Sequence, residues 1–121
     1  MSPEPRRVLV VDDYEDVREL MVMILQEEGY EVVSATDGGS AVARAREGKV
    51  DLVLMDVNLA GESGIEVARQ IAALRPSVCF LYVTGSVPMS EDGDPPAGDV
   101  IVKPFLAPEL LARVDEVFRR A

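Results

Sequence analysis

Residues 8–13 read Val8-Leu9-Val10-Val11-Asp12-Asp13. Four consecutive apolar residues that stop at two carboxylates describe a strand covered on both faces, as in a parallel sheet, with a polar C-terminal end. Three more runs repeat the pattern: Leu52 to Met55, Val78 to Val83 and Val100 to Val102. Glu31 to Ala35 is weaker and more mixed, which places it at or near a sheet edge.

Helical periods separate the runs. Val17, Leu20, Met21, Ile24 and Leu25 follow the i, i+3, i+4, i+7, i+8 spacing, with Gly29 placed to end the helix. Ser40 to Glu47 reads as a short helix with a weak, Ala-rich stripe. Ile65, Ala68, Ile71 and Ala72 mark a third, stopped before Pro76. Leu110, Leu111, Val114, Val117 and Phe118 mark a strong final helix with Pro108 in its first turn. This alternation specifies an α/β fold: a flavodoxin-like, doubly wound, five-stranded parallel sheet of order 2-1-3-4-5 with helices on both faces. The chain reads as one domain over 1–121, with residues 1–6 as a flexible N-terminus. The stretch Gly85 to Asp99 breaks the pattern, with three Gly and three Pro in fifteen residues. The helix due there is reduced to Val87–Asp92 at most, and the stretch reads as mainly irregular.

The 121 residues carry 22 acidic and 12 basic side chains, a net charge of −10. Such a chain is repelled by phosphate backbones and anionic lipid, so direct contact with nucleic acid or membrane is not expected. At 48% apolar content it can bury a core, which excludes disorder. The absence of His removes His-based triads and most zinc sites. Cys79, the single cysteine, sits in an apolar run and reads as a small core residue. No run reaches the ~20 apolar residues of a membrane span, and residues 1–11 lack a signal-peptide core. A cytoplasmic location follows as the expectation.

A parallel sheet gathers its strand ends at one edge, and here each end carries a reactive group. They are Asp12 and Asp13, then Asp56, then Thr84, then Lys103-Pro104. Three carboxylates brought together need a cation, and hard oxygen ligands suit Mg²⁺ or Mn²⁺. Asp56 follows the central strand and is the natural nucleophile, able to attack phosphorus and form an acyl phosphate. Lys103 and the metal would offset phosphoryl charge, and Thr84 could donate a hydrogen bond to it.

That constellation resembles the receiver domain of bacterial two-component response regulators. The matching segments are Val8–Asp13, Leu52-Val53-Leu54-Met55-Asp56-Val57-Asn58-Leu59 with Gly64, Val83-Thr84-Gly85, and Lys103-Pro104-Phe105. The resemblance implies Asp56 as phosphoacceptor. It implies Asp12, Asp13 and Asp56 as Mg²⁺ ligands, with the backbone carbonyl of Asn58. Thr84 and Lys103 become the phosphoryl-binding pair, and Lys103–Pro104 a cis peptide. It also implies a histidine kinase or histidine phosphotransfer protein as donor, with the chain catalysing only its own phosphorylation and dephosphorylation and so not a conventional enzyme. Ser86 and Asn58 would flank an attacking water and tune the acyl phosphate's lifetime.

Three positions depart from the family pattern. Val100 stands where an aromatic switch residue is usual, Ala60 stands where a Pro is usual, and the 85–99 stretch is broken by Gly and Pro. Signalling is then expected to use order and disorder of that stretch rather than a helix shift with ring rotation, or the stretch is simply variable and a partner reads another face. The downstream target is not readable, and a monomer or weak dimer is expected. Three other readings were weighed. A haloacid-dehalogenase-like phosphatase needs an Asp where Asn58 stands. A phosphorylation-independent pseudo-receiver should have lost Asp56, Lys103 or the acid pair. A receiver piece of a longer regulator or hybrid kinase stands beside a stand-alone receiver, although Met1 favours a natural start.

Overall fold

The structure, a computed structural model, describes residues 5–85 and 99–120. In chain order the elements are β1 (Arg7–Val11), α1 (Glu15–Glu27), β2 (Glu31–Ala35), α2 (Gly38–Glu47), β3 (Leu52–Asp56), β4 (Asn58–Leu59), β5 (Glu62–Ser63), α3 (Gly64–Leu74), β6 (Cys79–Thr84), β7 (Asp99–Val102) and α4 (Ala107–Arg120). Five strands form one parallel sheet in the order β2-β1-β3-β6-β7. Counting only strands of that sheet, this is the expected 2-1-3-4-5 order. The mixed segment Glu31–Ala35 does form an edge strand.

The apolar runs are explained by what covers them. β3 is buried at every residue. Alternate side chains of the inner strands enter two separate cores. Val8, Val10, Leu52, Leu54, Leu81 and Val83 meet Met21, Ile24 and Leu25 of α1 and Leu110, Val114 and Phe118 of α4. Leu9, Val11, Val53, Met55 and Tyr82 meet Ala41 and Ala45 of α2 and Val67, Ala68 and Ile71 of α3. The small stripe of α2 therefore belongs to a closely approached helix, not to a weakly formed one. α2 begins two residues before Ser40 because Asp37 caps it. The Asp37 carboxylate accepts from the Ser40 amide at 2.8 Å, and the Ser40 hydroxyl returns toward the Asp37 amide. The Ser40 amide and hydroxyl, both donating to the Asp37 carboxylate, hold that carboxyl below its ordinary value.

One element has no counterpart in the sequence reading. β4 and β5 make a hairpin of two residues per strand, pairing Asn58 with Ser63 and Leu59 with Glu62. Its turn is Ala60-Gly61, with φ of +46° and +94°. Both central residues are left-handed, as in a type I′ turn. A proline, fixed near −65°, cannot occupy such a position, which gives a physical reason for Ala60. Left-handed Ala costs roughly 1–2 kcal/mol, against up to ~1 kcal/mol for the looser unfolded chain of a Gly variant. Ala60→Gly is therefore expected to stabilise the fold by about 0.5 kcal/mol. A urea titration checks this; a midpoint below wild type would contradict the strain.

The Gly85–Asp99 expectation and Ser86 fall on residues 86–98, outside those described. Val100 lies in β7 in register with Tyr82, half-buried against the second core. Arg113 of α4 donates to the Val100 carbonyl at 2.7 Å, and Arg120 pairs with Asp99.

Candidate functional site

Asp12, Asp13 and Asp56 meet at the C-terminal edge of the sheet. Each offers a carboxylate oxygen within 4.8 Å of the other two. Asp12 is 0% exposed and Asp56 6% exposed, values unusual for acids that lack a compensating charge. That charge comes from Lys103, which follows β7 and is joined to Pro104 by a cis peptide. Its ammonium lies 2.9 Å from Asp12 Oδ2 and 3.4 Å from Asp56 Oδ2. The second oxygen of each acid takes a backbone donor: the Tyr14 amide donates to Asp12 Oδ1 at 2.9 Å, and the Asn58 amide donates to Asp56 Oδ1 at 3.1 Å. Asp13 Oδ1 is buried with no hydrogen-bond partner among the described residues.

Charge decides what this site can hold. Three carboxylates face one ammonium, a formal surplus of two negative charges. Burial, and then the charge of Asp12, raises the Asp56 carboxyl above its ordinary value, although the Asn58 amide and Lys103 oppose the rise. Burial alone would lower the Lys103 ammonium, but the Asp12 and Asp56 carboxylates together outweigh it and hold it high. A surplus of two, an all-oxygen donor set and an orphaned buried oxygen fit one hard divalent cation.

The remaining expected residues take their places around this cluster. Thr84 ends β6 and is buried, one residue beyond Val83, which is in register with Asp56. β7 continues past it through the Lys103 amide, which donates to the Thr84 carbonyl at 2.7 Å. Asn58 opens the hairpin that follows Asp56.

Gly64 explains why α3 can start so near the nucleophile candidate. Its amide donates to the Val57 carbonyl at 2.6 Å. A Cβ at Gly64 would stand 1.9 Å from the Asp56 carbonyl oxygen. Gly64→Ala must push backbone from backbone, so it is expected to lose about 2 kcal/mol or more and to weaken cation binding with it. Thermal unfolding with and without Mg²⁺ reads both effects. Unchanged values would show that α3 has room to shift.

Two contacts escaped the sequence reading. Arg18 donates from Nη1 to the Asp12 carbonyl at 3.1 Å. The signal was available, because Arg18 lies one turn past Tyr14, the N-cap of α1, and its amide bonds the Tyr14 carbonyl. Glu62 accepts from the Gly38 amide at 3.2 Å, a contact that depends on the unforeseen hairpin.

Comparison with known proteins identifies the arrangement. The family profile described as response regulator receiver domain matches residues 8–115. The chain belongs to the response regulator receiver family. Receiver domains are modules of signalling proteins and not a conventional enzyme family. This receiver is 37% identical to the transcriptional regulatory protein ResD of Bacillus subtilis, over 95% of its own length and 49% of ResD. It is 38% identical to the DNA-binding response regulator MtrA of Mycobacterium tuberculosis, over 99% of its length and 54% of MtrA. The chain thus spans about half the length of these curated relatives. Among solved structures, the response regulator TrrA of Thermotoga maritima in complex with Mg²⁺ and BeF superposes with a TM-score of 0.79 at 34% identity, covering 93% of this chain and 98% of TrrA. TrrA in complex with the histidine kinase ThkA gives 0.80 at 36% identity, covering 93% and 97%. No helix among the described residues is long and apolar enough to cross a membrane.

Proposed function

We propose that this receiver takes a phosphoryl group onto Asp56 from a phosphohistidine on a histidine kinase or histidine phosphotransfer protein. The observation that carries the reading is the convergence of Asp12, Asp13 and Asp56, with Lys103 paired to the buried Asp12 and Asp56. The TrrA complexes with ThkA and with Mg²⁺ and BeF support it by likeness. The absence of His in this chain agrees with a donor that brings its own.

Asp12, Asp13, Asp56 and the Asn58 backbone carbonyl would hold Mg²⁺ or Mn²⁺. When bound, the ion supplies positive charge that neutralises phosphoryl oxygens. The chain's own residues do the rest. One Asp56 oxygen attacks phosphorus in line with the scissile bond. The O–P bond forms as the donor's N–P bond breaks, and the departing imidazole nitrogen keeps the bonding pair and takes up a proton. Lys103 offsets the charge carried on the phosphoryl oxygens, and the Thr84 hydroxyl donates to one of them. Asp12 holds Lys103 in place through its 2.9 Å pair. Water attack on the acyl phosphate restores Asp56 and releases orthophosphate, with Asn58 beside its path. The chain thereby promotes only its own phosphorylation and dephosphorylation.

The same reading makes 1–121 one receiver domain, working in the cytoplasm without direct contact with nucleic acid, as its charge of −10 favours. It serves either alone or as the receiver of a longer regulator. Incubation with acetyl phosphate and Mg²⁺, followed by intact-protein mass, is the test. The expected result is one added phosphoryl group that requires Mg²⁺; no added mass would refute the reading.

A further inference from the structure

We infer that Glu62 is a positioning residue for the acidic pocket: its carboxylate pins the Asn58–Ser63 hairpin to the first turn of α2, and so holds Asn58 against Asp56. The inference rests on the phosphoacceptor reading for its functional meaning, but its physical basis is independent.

A ribbon of two residue pairs has too little pairing to hold itself in place. Its base is closed by the Gly64 amide on the Val57 carbonyl, so its orientation comes from one plug and from bonds along its two strands. Leu59, 1% exposed, is that plug and enters the core between α2 and α3. At the outgoing end, the Asn58 amide donates to Asp56 Oδ1 at 3.1 Å. On the returning strand, beside the turn, Glu62 Oε2 accepts from the Gly38 amide at 3.2 Å. The two bonds lie on adjacent strands, Leu59 being paired with Glu62 and Asn58 with Ser63.

The need for this bond is written into α2. The first amides of a helix have no intrahelical partner. Asp37 satisfies the Ser40 amide, and the first turn itself contains no acid. The Gly38 amide, on a buried residue, is left for Glu62, whose charge also suits the positive end of the helix. The approach is close: a Cβ at Gly38 would stand 2.6 Å from Glu62 Oε1 and 2.8 Å from Val67 Cγ2. The seat is therefore shaped by Gly38 on one side and α3 on the other. Freed from it, the hairpin would pivot about Leu59, and the Asn58 end would lose its fixed relation to Asp56.

The test uses three proteins: wild type, Glu62→Ala and Glu62→Gln, the last keeping an acceptor of the same reach without the charge. Amide hydrogen exchange of Asn58 is measured without metal, and Mg²⁺ affinity by titration with the metal alone. Glu62→Ala is expected to speed exchange at Asn58 and to weaken Mg²⁺ binding about tenfold, the low end of what loss of an outer support costs a metal site. Glu62→Gln should retain most of both. An Ala variant with wild-type exchange at Asn58 and wild-type Mg²⁺ affinity, whatever its melting temperature, would reduce Glu62 to a cap of α2 and overturn the inference. If the wild type itself binds no Mg²⁺, the phosphoacceptor reading fails instead, and the Asn58 exchange rates still decide whether Glu62 holds the hairpin.

Discussion

Asp56→Asn is expected to take up no phosphoryl group, and in metal-free buffer at neutral pH to melt at a higher temperature than wild type. The first effect follows from chemistry: an amide oxygen is not a nucleophile toward phosphorus at these pH values, so labelling should fall to background. The second follows from the cluster. Burial and the charge of Asp12 raise the folded-state pKa of Asp56 above its ordinary 3.8. A raised carboxyl binds more protons folded than unfolded, so stability falls as pH climbs from that ordinary value through the raised one. Above the raised value the penalty is fully present, and Asn removes it while leaving Lys103 its closer partner, Asp12 at 2.9 Å. The advantage should fade as pH falls through and below the ordinary 3.8, where the wild-type carboxyl becomes protonated in both states. Melting curves in chelator across pH measure this; a variant less stable than wild type at neutral pH would show that Asp56 is held by attraction.

Lys103→Met is the second large effect. The ammonium pairs with the carboxylates of both Asp12 and Asp56, with its side chain 20% exposed. Methionine keeps the stem's bulk and deletes the charge. Removing one member of a buried pair costs 3–5 kcal/mol, and partial solvent access reduces this to about 2–3 kcal/mol here. For a domain of this size that is a fall in Tm of roughly 10 °C. Mg²⁺ at ~100 times its Kd returns about 2.7 kcal/mol. Its stabilising effect should be larger in Lys103→Met than in wild type, because the ion no longer competes with a fixed cation. Phosphoryl uptake should nevertheless drop by about 10²-fold, since no metal replaces a donor aimed at the phosphoryl oxygens. Equal Mg²⁺ stabilisation of the two proteins would mean that Lys103 and the metal do not share one set of carboxylates.

How much of this could be read from the chain depended on the range of the forces involved. The strands were legible because both faces of β1, β3 and β6 are covered, leaving unbroken apolar runs whose ends are unmistakable. The site was legible for the same reason, since a parallel sheet collects strand ends without further information. The start of α2 was not, because Asp37-Gly38-Gly39 has the composition of a turn until the Asp37–Ser40 capping box is seen. The hairpin was invisible: two residues per strand carry no periodicity, and Ala60 at φ +46° is not a usual turn signal. Glu62 went unnoticed with it. Arg18 could have been found from helical spacing alone, but only a placed α1 shows that its guanidinium turns back to the Asp12 carbonyl.

The most direct test locates the phosphoryl group. An acyl phosphate on a side-chain carboxylate is reduced by borohydride to the corresponding alcohol, which for Asp is homoserine. Wild-type protein treated with a phosphohistidine donor and Mg²⁺, reduced and then mapped by peptide mass should carry homoserine at position 56 and nowhere else. Homoserine at position 12 or 13, or none at all after phosphoryl transfer, would contradict Asp56 as the acceptor.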